Sequence, residues 1–193
     1  RLYDSIIRTL AAIHSIPVES AGLADYGKPG NYFERQLARW SKQYRDSETQ
    51  PIAAMDALIA QLPERCPADD GNVSLVHGDY RIDNLMFEPD GENVLAVVDW
   101  ELSTLGHPLA DLGYFCMALR LPRNPALPGL AGLDRTALGI PSEAEILARY
   151  AALTARAIPA DWGFVLAFSF FRLAAIAQGV AKRVQQGNAS SEK

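Results

Sequence analysis

The sequence predicts a mostly helical α+β domain, and three observations carry that prediction. Apolar residues recur at three-to-four spacing in several separate stretches of the 193 residues. Two short apolar runs, residues 85–87 and the β-branched-rich 94–98, flank Asp90-Gly91, a strong hairpin signal. A composition of 49% hydrophobic and 21% charged residues is enough to bury a proper core.

Taken in order, Leu2, Ile6, Leu10 and Ile13 predict an amphipathic helix that stops before Ile16-Pro17. Because the chain opens at Arg1 inside this helix, a preceding segment is expected. Residues 22–31, GLADYGKPGN, read as a loop. Lys28 within it lacks the glycine spacing and the Ser/Thr of a phosphate-binding loop, so it reads as a solvated lysine. Phe33, Leu37, Trp40 and Tyr44 predict a second helix with an aromatic core face. Pro51, at a first helical position, opens a third with Ile52, Met55, Ile59 and Leu62 inward, and residues 63–71 form a polar connection.

Leu75 and Val76 then read as the end of a short buried strand. After the hairpin, residues 102–107 read as a loop. Pro108 begins a helix with Leu109, Leu112, Phe115 and Leu119 on one side, its apolar start interrupted by Asp111. Residues 121–140 read as a long irregular excursion that could overlie a substrate cleft. Ser142 and Glu145 form a capping box that opens a helix through Ile146, Leu147, Tyr150 and Leu153. The last helix, from Trp162 to about Arg183, is apolar enough to span a bilayer. It contains Arg172 and Gln178, however, and a central Arg costs about 2.5 to 3.5 kcal/mol to insert, so it reads as a core helix. Residues 1–186 are expected to form the domain and 187–193 a disordered tail.

A net charge of -5 without a basic stripe points away from nucleic acid, and no membrane partner is expected. Cys66 and Cys116 have no metal-binding or redox spacing and read as reduced thiols of a cytoplasmic protein. With no secretory signal, the sequons at Asn72 and Asn188 read as chance.

The chemistry concentrates in residues 75–101, LVHGDYRIDNLMFEPDGENVLAVVDWE. A loop of residues 90–93 would pair Pro89 with Val94, Phe87 with Ala96 and Leu85 with Val98, and so bring Asn84 opposite Asp99. Opposed residues lie about 4.5 to 5.5 Å apart, so an amide oxygen and a carboxylate would converge where one hard cation could bridge them. Asp79 stands five positions before Asn84, at the mouth of the same loop. Asp83 reads as a turn residue, and His77 as a structural imidazole tying the loop to the core, while His14 and His107 stand in unrelated contexts.

His77, Asp79 and Asn84, followed by Asp99, match the kinase catalytic pattern H-x-D-x-x-x-x-N and its metal-binding Asp. In the form His77-Gly78-Asp79 with Asp99-Trp100-Glu101, the chain resembles the aminoglycoside phosphotransferase and choline kinase superfamily of small-molecule kinases. The resemblance implies a protein-kinase-like C-terminal lobe with a small β-hairpin at the catalytic loop. It implies Asp79 as catalytic base, Asn84 and Asp99 as ligands of Mg²⁺ on ATP, and Asp111 as a hydrogen-bonding support of the loop backbone. Gly78 stands where protein kinases carry an Arg, and no Ala-Pro-Glu follows, so control by activation-loop phosphorylation is not expected. Arg172 is a candidate contact for an anionic substrate group if its head faces the cleft.

No glycine-rich loop occurs, and none of the four lysines lies on an expected strand. The chain therefore reads as the C-terminal lobe of a kinase whose N-terminal ATP-binding lobe is absent from it, inactive alone and completed by that missing lobe, by ATP and by a small-molecule alcohol. The stretches GLADYGKPGNYFERQLARW and AFSFFRLAAIAQGVAKRV further resemble the branch found alone in bacteria and fused to acyl-CoA dehydrogenases elsewhere, which implies a hydroxylated acyl substrate. Two other functions stay open at this point: a metal-dependent phosphohydrolase using Asp79 and Asp99, and a non-catalytic pseudokinase module.

Overall fold

The computed structural model describes residues 1–89, 91–124 and 127–187. Along the chain run α1 (Leu2–His14), α2 (Tyr32–Ser47), α3 (Ala53–Glu64), β1 (Ser74–Val76), β2 (Leu85–Phe87), β3 (Val94–Val97) and β4 (Thr104–Gly106). Then follow α4 (Leu109–Met117), β5 (Arg123–Asn124), β6 (Leu127–Pro128), α5 (Glu143–Thr154) and α6 (Trp162–Gln185). The strands form three antiparallel ladders, β1 with β4, β2 with β3 and β5 with β6, so the fold is mostly helical with small sheets.

The chain divides into two compact units. The first takes Arg1–Gly30 and Gly71–Trp162. Its core is the apolar face of α1, with Ile6 and Leu10 at zero exposure, packed against α5, where Ile146 and Tyr150 are buried, while the Tyr3 ring of α1 lies 5.9 Å from that of Phe115 on α4. Burying such side chains contributes about 1.5 to 3 kcal/mol each, which is what holds helices this short in place. The second unit takes Asn31–Asp70 and the chain from Gly163 onward. There Phe33 of α2 meets Phe164 and Phe168 of α6 edge-on, at 5.3 and 5.2 Å between ring centroids. The apolar window of α6 is long enough to cross a membrane, but half of it is buried within the protein. Its polar side chains are accommodated in the unit: the Arg172 guanidinium lies 5.4 Å from the Trp40 ring centroid, and Gln178 Nε2 donates to the Ser47 carbonyl oxygen at 2.9 Å.

The strand register differs from the one the sequence suggests. Leu85 pairs with Val97 and Met86 with Ala96, and after an irregularity Phe87 pairs with Val94. Pro89 has no N–H to donate, so the ladder closes earlier, at Glu88 N–H to the Asn93 carbonyl oxygen (3.1 Å). The partner of Leu85 moves by one residue and, past the irregularity, that of Phe87 by two. Asn84 therefore faces Val98, whose N–H donates to the Asn84 carbonyl oxygen at 2.9 Å, and Asp99 lies one residue beyond, at φ +65°. Of the expected Asp90-Gly91 turn, Asp90 lies outside the described residues, as do residues 188–193 of the expected tail.

Other boundaries also shift. Residues 102–107 are not simply a loop, because Thr104 to Gly106 pair with β1. Pro51 precedes α3 rather than opening it; Ile52 is exposed, Ile59 is half-buried, and the helix runs through Pro63. Residues 121–140 include the β5–β6 ladder. At α5 the capping box is complete: the Ser142 hydroxyl accepts from Glu145 N–H (3.3 Å), and the Glu145 carboxylate accepts from Ser142 N–H (2.8 Å). The Ser142 hydroxyl also donates to the Glu145 carboxylate at 2.6 Å, and this bond together with the one from Ser142 N–H holds the carboxyl below the usual carboxylate range, so their contribution is present at neutral pH and is lost as pH falls through that lowered value. Replacing Ser142 by Ala is expected to lower stability by about 0.5 to 2 kcal/mol, seen as a lower midpoint in urea at unchanged slope.

Candidate active site

The exit from β1 is a backbone turn that could not form from ordinary residues. Val76 is buried, and the next two amides, His77 N–H and Gly78 N–H, both point at the carboxylate of Asp111, which accepts them at 2.7 and 2.8 Å. Turning both amides the same way places Gly78 at φ +84°, and a Cβ there would overlap the Leu102 carbonyl oxygen. The sequence places a glycine where the backbone needs one. Asp111, in the first turn of α4, is fully buried and faces the loop.

His77, also fully buried, ties this turn to the segment that leads from β3 to Asp99. Its Nδ1 accepts the Asp79 N–H at 3.2 Å, which places the ring proton on Nε2, from where it donates to the Val98 carbonyl oxygen at 2.9 Å. The ring lies 4.7 Å from the Trp100 ring, whose Nε1–H is fixed to the Val97 carbonyl oxygen at 2.8 Å. Below the turn, the buried Tyr80 hydroxyl donates to the Ile6 carbonyl oxygen of α1 at 2.7 Å; burial, reinforced by Asp111, pushes its pKa well above the usual tyrosine value.

Asp79 is half-buried, and its carboxylate and carbonyl oxygens each accept a hydrogen bond from the Asn84 side-chain amide, at 2.9 Å both. With both N–H groups of Asn84 so engaged, Asn84 Oδ1 is the acceptor that remains. Asp99 follows the ladder on an exposed left-handed turn. An amide oxygen and a carboxylate are hard donors of the kind Mg²⁺ takes alongside waters and phosphate oxygens, so the two residues fit that ion. Among the described residues there is no cluster of three His, Cys, Asp or Glu side chains that could hold a metal without such added ligands. Asp83 is paired with Arg81 at the surface.

Two features are missed by sequence reasoning. With the observed register, Met86, Ala96 and Val98 share the outer face of the β2–β3 ladder, and Met86 and Val98 are 56% and 38% exposed, giving an apolar surface beside Asn84 and Asp99. Period-two alternation would have revealed it had the ladder been set one residue earlier. His14 does not stand in an unrelated context: its ring reaches the Asp111 carboxylate at 3.2 Å. The loop at residues 22–30 also closes onto this region. Tyr26 hydroxyl and Ser103 Oγ are 2.5 Å apart, and a Cβ on Gly27 would sit 2.5 Å from Thr104 Oγ1. Arg172 belongs to the second unit and is 4% exposed there.

The phosphotransferase enzyme family model matches residues 1–153. The chain belongs to this family. It is 54% identical to a putative aminoglycoside phosphotransferase from Ralstonia eutropha, with a TM-score of 0.94, covering 99% of this chain and 58% of that one. A macrolide 2'-phosphotransferase type I shares the fold at a TM-score of 0.64 and 19% identity, covering 99% of this chain and 60% of that one. The mouse acyl-CoA dehydrogenase family member 10 is 48% identical over 192 residues, which are 98% of this chain and 18% of that protein. The chain thus spans under a fifth of the length of that relative and somewhat over half of the bacterial one.

Substituting Gly78 by Ala is expected to destabilise the chain by about 1 to 3 kcal/mol from backbone conformation alone, and by more because of the overlap with Leu102. The readout is the urea midpoint.

Proposed function

We propose that the chain carries the acceptor and metal groups of a small-molecule kinase that transfers the γ-phosphoryl of ATP to an alcohol. The observation that carries this reading is the clamp of Asn84 on Asp79. A single amide orients the carboxylate that would take the hydroxyl proton and keeps its own oxygen for a cation. Asp79 accepts or orients the proton of the substrate hydroxyl. Asn84 Oδ1 and the Asp99 carboxylate would hold Mg²⁺, which neutralises charge on the phosphates when bound. The exposed face of Met86, Ala96 and Val98 suits the flat, apolar side of a purine base lying beside those phosphates.

A hydroxyacyl compound is the acceptor class we propose, supported by the 48% identity to a protein named as an acyl-CoA dehydrogenase family member. These 193 residues hold no glycine-rich phosphate loop, so the chain alone is expected to turn over no ATP, and the reaction needs a nucleotide-binding lobe beside it.

The test is ADP formation by a longer protein containing this chain and such a lobe, with hydroxyacyl compounds, amino alcohols and sugars offered in turn. ADP that appears only with a hydroxyacyl acceptor supports the reading, and ADP released equally without any acceptor marks a hydrolase instead. Asp79→Asn is expected to lower kcat by about 10²- to 10⁴-fold while leaving the melting temperature close to that of the wild type.

A further inference from the structure

Two fully buried polar side chains, His14 and Tyr150, take no part in the chemistry above yet are hydrogen-bonded to it. His14 ends α1 and Tyr150 lies on α5. His14 Nε2 lies 3.2 Å from Asp111 Oδ2 and its Nδ1 lies 2.7 Å from the Tyr150 hydroxyl. The direction of each bond follows from the two ends. Asp111 Oδ2 already accepts the His77 N–H, and a carboxylate oxygen only accepts, so His14 presents Nε2–H to it. Nδ1 is then the acceptor for the Tyr150 O–H. Burial pushes the Tyr150 hydroxyl up to about 12, against the opposing effect of Arg156, so the phenol keeps the proton it donates.

The backbone of His14 acts on the same strand. Its carbonyl oxygen accepts from Ser74 Oγ at 2.9 Å and from Arg156 Nη1 at 3.0 Å. His14 therefore touches the start of β1 through its carbonyl and, through its ring and Asp111, the turn that leaves β1 at His77 and Gly78. An apolar side chain at this position would leave the Tyr150 hydroxyl without its acceptor and Asp111 without one of its three donors, in a site closed to water.

We infer that His14 is a positioning residue for Asp79: the sequence Tyr150 O–H to His14 to Asp111 fixes the carboxylate in the orientation that holds the His77 and Gly78 amides, and so aims the turn that presents Asp79. The functional half of this inference rests on the phosphotransferase reading of Asp79. The structural half does not.

Nitrogen NMR of the His14 imidazole and amide hydrogen exchange test it on the chain itself. The expected spectrum shows a proton on Nε2 and none on Nδ1. In His14→Ala the His77 and Gly78 amides are expected to exchange about tenfold faster or more, while Leu10 in α1 and Phe115 in α4 keep their rates. His14→Gln, which retains an N–H donor near the position of Nε2, is expected to restore most of that protection. A proton on Nδ1 in the wild type overturns the assignment. So do unchanged exchange at His77 and Gly78 in His14→Ala, or a uniform acceleration that His14→Gln fails to reverse. Should His14→Ala not fold, Tyr150→Phe carries the test: selective loosening of the same two amides supports the inference, and wild-type rates there refute it. In a longer protein with phosphotransferase activity, His14→Ala is expected to lower kcat with KM for ATP unchanged. A wild-type protein that forms no ADP refutes the functional reading, whereas the role of His14 in holding the turn is decided by the exchange and tautomer data alone.

Discussion

A carboxylate with no exposure to solvent is among the costlier things a small unit can contain, and the first unit of this protein is arranged around one. Asp111 is tolerable only because three donors reach it: two successive backbone amides and a histidine ring. Meeting that requirement dictates the neighbouring structure. The chain must leave β1 in a conformation that points two N–H groups the same way, which needs a glycine at position 78. The end of α1 must place His14 against α4, although the two residues are 97 positions apart. The three donors offset the cost of burying the carboxylate, and the same bonds make the turn rigid.

His77 extends that rigidity across the site. Its two ring nitrogens join the Asp79 amide on one side to the Val98 carbonyl on the other, while Val98 N–H is bonded back to Asn84. The loop with Asp79 and the strand leading to Asp99 are thus connected through an imidazole and a ladder bond rather than through flexible side chains. Groups fixed in this way need little reorganisation when a ligand arrives, which is what the proposed phosphoryl transfer would ask of them.

Much of this was legible in the sequence because it is written in local periodicity. The apolar faces of α1, α2 and α4 follow from three-to-four spacing, α6 from a long apolar run, and the Ser142–Glu145 cap from two residues three apart. The motif residues Asp79, Asn84 and Asp99 were recognisable by spacing, but their register was not. A proline in the hairpin arm and an irregularity between Met86 and Phe87 shifted the pairing by one residue at Leu85 and two at Phe87, which moved Asp99 off the ladder and turned Met86 and Val98 outward together. The three residues of β4 were too few to show alternation. The link between His14 and Asp111 left no trace at all, since no local pattern records a bond between the end of one helix and the first turn of another so far along the chain.

The loop at residues 22–30 carries a consequence for anyone who would exchange it among relatives of this chain. Gly27 lies so close to the start of β4 that the space for its missing side chain is taken by Thr104 and Leu105, and Tyr26 is bonded to Ser103. A transplanted loop of the same length but without a glycine at that point would push on the strand that pairs with β1. Loop and strand form one cassette, and grafting succeeds only when the two are moved together.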